Sequence, residues 1–298
     1  METRKIIRFL ILIFAFLTVF FVYLYLEEYN NKNVLSDELV SSTIENLEKK
    51  GIKLDENAVE RTVPEMDIYD FEHMSHENYY ESISSGLIDA VFGDSVIKLS
   101  FDVPNGASFG VYDVEDSSKE LARIVFSNND LTFIFQKNSV NVSGASDPVF
   151  GGNVDGINDE IRKNVDSLAN SVLPKNISYR ICGVSGEDRL LVVSVIEMVD
   201  GYDINNAYLN FVFKENELVK VVGNLVPVSP KAVYHEQLID GVNALYRLDL
   251  DSVYEIYSQR MVYSMRKSDS DKSFLVPGWE VEYRDNLGVD RKIFVDAL

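Results

Sequence analysis

The stretch INDEIRKNVDSLANSVLPKNISYRICGVSGEDRLLVVSVIEMVDGYDINNAYLNFVFKENELVKVVGNLVP, residues 157–227, holds the pattern on which the fold turns. Its first part carries Ile161, Val165, Leu168 and Val172 at helical spacing, and Pro174 stops the run. The period then shortens to two. Strands are expected at about 177–184, 189–199, 207–214 and 217–226, with KENE turning the last hairpin and Pro227 and Pro230 closing the set. A helix followed by three or four antiparallel strands reads as α+β, with helices laid on one face of a sheet. No βαβ alternation supports a parallel sheet.

Upstream the same unit recurs. LSDELVSSTIENLEKKG, 35–51, predicts an amphipathic helix capped by Ser36 and ended by Gly51. A second helix is expected from Ser75 to Phe92, where Tyr79, Ile83, Leu87 and Val91 fall four apart. SVIKLSFDV, SFGVYDV, LARIVFSNN and LTFIFQ follow as a meander separated by turn residues. SGASDPVFGGNVDG, 143–156, is the natural linker and sets a boundary near residue 150. Downstream, a helix is expected over 231–247, with strands near 252–266, 274–284 and 289–296. In PGWEVEY, Trp279, Val281 and Tyr283 alternate with two glutamates, so Trp279 is read as core, packed on the 231–247 helix, with an exposed ligand or partner contact as the alternative.

A different feature stands at the start. From Phe9 to Leu26 there are eighteen residues without charge, enough to approach the ~30 Å hydrocarbon thickness of a bilayer as a helix. Arg4, Lys5 and Arg8 precede it and Glu27 and Glu28 follow, which orients the N-terminus to the cytoplasm. The apolar run exceeds a signal-peptide core, and no small-x-small site follows. The expected organisation is a cytoplasmic tail at 1–8, a transmembrane anchor at 9–26, and extracytoplasmic α+β domains at 27–150 and 151–298. Ile11, Phe14, Ala15, Thr18, Val22 and Tyr25 form one stripe of that helix. Small Ala15 and polar Thr18 make it the candidate partner face.

The chain's 298 residues carry a net charge of −20, which repels phosphate backbones and argues against nucleic acid as a partner. With Cys182 the single cysteine, no internal disulfide can form. Chemistry is hard to locate. EHMSHE places Glu72, His73, His76 and Glu77 together, but its histidines are three apart where the helical zinc motif needs four. DGINDE, 155–160, lacks the ligand alternation of a calcium loop, and its acids suit a helix start. FGGNVDG has no phosphate-loop lysine, and Gly183-Val-Ser185-Gly186 misses the nucleophile elbow by one position. No catalytic residue, metal ligand or cofactor is assigned, and no enzyme is expected.

In order and size, the N-terminal apolar run, LSDELVSSTIENLEKKGIKLDENAV, the hairpin FVFKENELVKVVGNLVP and the closing LVPGWEVEYRDN…KIFVDAL resemble the YycH/YycI family of membrane-anchored regulators of Gram-positive bacteria. The resemblance spans nearly the whole chain through architectural patterns, without a chemical signature. It implies a PepSY-like C-terminal part and no catalytic residues. It further implies a non-enzymatic accessory of a WalK-type sensor histidine kinase governing cell-wall metabolism, working through transmembrane and extracytoplasmic contacts, with a YycH-like protein as a further partner. The alternative is a tethered module that captures a peptide, or inhibits an exported peptidase, at a free strand edge.

Overall fold

The computed structural model describes residues 13–25, 34–70, 76–104, 106–127, 132–139, 147–174, 176–187, 189–226, 231–235, 238–248, 253–267 and 273–298. The N-terminal apolar run forms a helix, α1, over 13–25. Among the described residues no helix is long and apolar enough to cross a membrane. The expected span is corrected accordingly, and the single-pass placement that rested on it is not retained. Residues 9–12 and 26 of the expected span lie outside the described residues.

The chain divides into two compact units, each built from separated segments. The smaller comprises Met1–Met66, Gln237–Arg260 and Trp279–Leu298; the larger comprises Asp67–Glu236 and Met261–Gly278.

In the smaller unit, α2 (Asp37–Lys49) starts where Ser36 Oγ accepts the Leu39 amide at 3.3 Å. It ends where the amides of Gly51 and Ile52 donate to the carbonyls of Glu48 and Leu47, the paired bonds of a Schellman stop. Lys53–Leu54 (β1) follow, then a 3₁₀ turn at Glu56–Ala58.

The larger unit opens with β2 (Asp67–Asp70) and α3 (His76–Phe92), then the meander β3 (Val96–Val103), β4 (Gly106–Asp113), β5 (Glu120–Ser127) and β6 (Thr132–Lys137). Helix α4 (Asp159–Val172) precedes β7 (Ser178–Glu187), β8 (Leu190–Val199), β9 (Tyr202–Lys214) and β10 (Glu217–Asn224). All these strand neighbours pair antiparallel. The decisive contact is between β6 and β10, which pair antiparallel with Val221 opposite Phe135 and Val222 opposite Ile134.

That pairing overturns the expectation of two successive helix-plus-sheet modules. An apolar strand left at a sheet edge exposes a row of unpaired backbone groups, and here two such edges satisfy one another. One face of the merged sheet carries Phe109, Ile124, Phe133, Phe135, Phe211 and Val195 in a single apolar cluster with Tyr79, Ile83 and Leu87 of α3 and Ile161, Val165 and Leu168 of α4.

The remaining described segments add further strands. Residues 231–247 are not one helix. Lys231–His235 form β11, antiparallel to β2, and only Gly241–Tyr246 are helical, as α5. The β-rich sequence finds a strand to pair with, and Asp240 then starts a new helix by accepting the Asn243 amide at 2.8 Å. Last come β12 (Val253–Lys267), β13 (Ser273–Asp285) and β14 (Asp290–Asp296). Parallel pairs also occur, Leu54 with Ile256 and Ile204 with Tyr263. Trp279 has 0% exposure, and its indole N–H donates to the Ile239 carbonyl at 2.9 Å, so it is a core residue with its one polar atom satisfied.

The glycine-rich stretch before α4 does not run free. Val149 N–H donates to Ser194 Oγ at 2.9 Å, and Gly151 bridges to Gly183 on β7. A Cβ on Gly183 would sit 2.2 Å from the Val149 carbonyl oxygen, so the sequence is glycine-rich here because one backbone lies on another. Cys182, buried beside it, has its thiol 3.4 Å from that same oxygen.

The two helices meet just as closely. A Cβ on Gly86 would fall 2.3 Å from the Ser171 carbonyl oxygen. Gly86→Ala is expected to lower stability by roughly 1–3 kcal/mol, although alanine is the better helix former. Urea unfolding of the two proteins measures the difference.

Candidate functional site

The residues read as a partner face lie on α1. Phe14, Ala15, Thr18, Val22 and Tyr25 are all exposed, with Phe14 and Tyr25 each at 67%. The Thr18 hydroxyl donates to the Phe14 carbonyl at 2.8 Å, within its own helix. Ile11 lies outside the described residues.

A second apolar surface, which the sequence reading did not single out, lies on the meander. On β3 the expected burial is inverted. Ile97, Leu99 and Phe101 point away from the helices, while Lys98 points toward them. The Lys98 ammonium pairs with Glu81, donates to Ser85 Oγ at 3.0 Å on α3, and stands 5.3 Å over the Phe109 ring.

The outward row continues across neighbouring strands, because Phe101 faces Ser108, Ser108 faces Val125, and Val125 faces Ile134. Leu99 is 45% exposed and Phe101, Val125 and Ile134 are 40–42%, so four apolar side chains on this face stand open to solvent, with the buried Ser108 between Phe101 and Val125. Arg123 borders it, with its guanidinium 5.9 Å over the Phe101 ring and two hydrogen bonds to the Glu120 carboxylate. Beside the strip, β3 ends the order of strands, and among the described residues it pairs with β4 alone. The missed signal was Lys98 itself. A charge in the middle of an apolar alternation tells which face is inward only when the helix opposite offers it a carboxylate.

Conventional chemistry finds little purchase. A cleft of about 330 Å³ between α3, α4 and the β9–β10 turn is lined by Lys137, Glu160, Asn164, Ser167 and Glu217 among others. Among the described residues no three His, Cys, Asp or Glu side chains gather to hold a metal ion. Glu72 and His73 lie outside the described residues, as do the side chains of His76, Glu77 and His235. The Ser185 and Gly186 positions fall inside β7.

One titratable group is held far from its ordinary state. Glu197 on β8 has 0% exposure; burial pushes its carboxyl up to about 8, opposed only by the Val226 amide, which donates to Oε2 at 3.2 Å. Among the described residues its buried Oε1 has no hydrogen-bond partner. In the unfolded chain the acid ionises near 4.5, while in the folded chain it stays neutral to about 8. The unfolded state therefore releases its proton first, and stability attributable to Glu197 is lost as pH rises between those values and is flat above them. Glu197→Gln, a neutral isostere, should gain on the natural protein across that window by several kcal/mol, on the order of 4–5. Chemical denaturation of both proteins between about pH 5 and pH 9 tests this, and an unchanging difference would contradict it.

No family model matches the chain, and no curated protein matches it. Among solved structures it is similar to an uncharacterized protein from Eubacterium rectale, at 9% identity and a TM-score of 0.44, over 83% of this chain and 87% of that one.

Proposed function

We propose that this chain is a non-enzymatic accessory regulator that acts on a WalK-type sensor histidine kinase by direct contact between folded surfaces. This is the role implied by its resemblance to the YycH/YycI family. The observation that carries the reading is the exposed strip of Leu99, Phe101, Val125 and Ile134, bordered by the Arg123–Glu120 pair. An apolar centre with a charged rim is the usual anatomy of a surface that docks another protein. An acidic surface, from a net charge of −20, favours encounter with a partner bearing basic groups around its own docking patch.

Regulation of this kind works by differential contact with two states of the kinase, so removal of the strip should abolish the effect without unfolding the regulator. Leu99→Thr with Phe101→Thr keeps strand-forming residues while removing most of the apolar area. Stability is expected to change by about 1 kcal/mol or less, since neither side chain is buried. Co-purification from native-host extracts should recover a sensor kinase with the natural chain and lose it with the double variant. If the kinase accompanies neither, the regulator reading fails.

The open edge of β3 favours a second reading, capture of an extended peptide as an added strand. Such a peptide would slow hydrogen exchange at the β3 amides, whereas docking on the strip alone would leave the edge amides as they are.

A further inference from the structure

The end of β10 is held to the rest of the larger unit by three side chains from three different elements. Asn224 Nδ2 donates to the Asn206 carbonyl at 2.9 Å, the Tyr79 hydroxyl of α3 donates to the Leu225 carbonyl at 3.2 Å, and the Val226 amide donates to Glu197 at 3.2 Å. The sheet is irregular at this point. Ile196 pairs with Tyr208 but Met198 pairs with Asp203, so β9 advances five residues while β8 advances two. Of the four residues between, Asn206 is tied outward, exchanging two hydrogen bonds with the backbone of Met265 at 2.9 and 2.8 Å.

Of the three anchors only Glu197 changes charge near neutral pH. Among the described residues its surroundings supply no counter-charge. The Tyr79 hydroxyl on α3 feels the Glu197 charge and is itself pushed well above its usual range by burial. Tyr80 stands beside Tyr79, their ring centroids 5.7 Å apart. Opposite Glu197 on β7 is Tyr179, whose hydroxyl donates to Asp166 of α4 at 2.6 Å. On β9, Asp203 is held by the Arg180 guanidinium, Nε donating at 2.7 Å. Among the described residues, burial and one backbone amide are what act on the Glu197 carboxyl, and no cation does.

We propose that Glu197 is a proton-operated latch on the segment 224–226: neutral, it keeps Val226 fastened to the inner face of the sheet, and ionised, it draws in water and frees that segment. The physics is that of a buried anion. A carboxylate with a single amide donor and no cation is too costly to keep dry, so hydration and local opening are the cheaper response. Burial already pushes the carboxyl up to about 8, which sets the window in which the latch turns. The inference is independent of any partner and of the reading of the β3 strip.

The test is amide hydrogen exchange at Leu225 and Val226 in the full chain, with Glu197→Gln as the reference that cannot ionise. Taking the ratio of natural to variant rates at each pH cancels the intrinsic base catalysis of exchange. The ratio should be near one at about pH 4 and rise about tenfold or more by about pH 8. A ratio that stays within about twofold at both overturns the proposal. Should the variant fail to fold, the side-chain carboxyl of the natural protein can be followed by carbon-13 NMR. A midpoint between about 7 and 9 with a coincident shift at the Val226 amide supports the latch. A midpoint below about 6, or a transition that leaves Val226 unmoved, overturns it.

Discussion

Where α3 crosses α4, the hydrogen of Gly86 takes the place where any side chain would strike the Ser171 carbonyl. Much of the larger unit follows from that approach. The merged sheet presents a continuous apolar face assembled from both halves of its sequence, and two helices must lie close together to cover it. Packing at this density tolerates little change in volume, because a displaced helix would open the layer of phenylalanines beneath it. Coverage runs out toward β3, and there the strand turns its charged residue inward and its apolar residues out.

The inward lysine has a structural consequence as well as a functional one. Edge strands invite pairing with other chains, and an inward-pointing charge is one of the ways folded proteins discourage indiscriminate addition. Lys98 is held under α3 by Glu81 and Ser85, so β3 is fixed in register even though it has a neighbour on one side only. A surface that is apolar and also fixed suits a defined partner better than a sticky edge does.

Much of the local structure could be read from residues alone. Ser36 and Gly51 bracket α2, the four-residue spacing of Tyr79, Ile83 and Leu87 marks the buried side of α3, and the alternation around Trp279 gives a core tryptophan. These depend on contacts within a few residues. The pairing of β6 with β10 does not, since nothing in either strand names its neighbour. For the same reason 231–235 reads as helix until β2 is there to pair with it, and 147–152 reads as a linker until β7 is beneath it. The apolar run at the start has the composition of a spanning segment, while among the described residues no helix is long and apolar enough to cross a membrane. Of the surfaces and groups with functional promise, none was fully legible. The strip on β3 needs the helix opposite to define its outer side, and Glu197 in VIEMVD looks like any solvated acid until β8 is found buried on both faces.

The division of the chain into interleaved segments also orders events during synthesis. The strand β1 pairs with β12, Leu54 against Ile256, so two hundred residues separate the partners. The larger unit has most of its chain, Asp67–Glu236, available first, while the smaller must await Gln237–Arg260 and Trp279–Leu298. At about 5–20 residues per second that interval lasts on the order of ten seconds or more. Throughout it, Val40 and Leu47 of α2, both at 0% exposure in the finished protein, have no completed core to enter. A circular permutant that brings 34–66 next to 279–298 would shorten that wait.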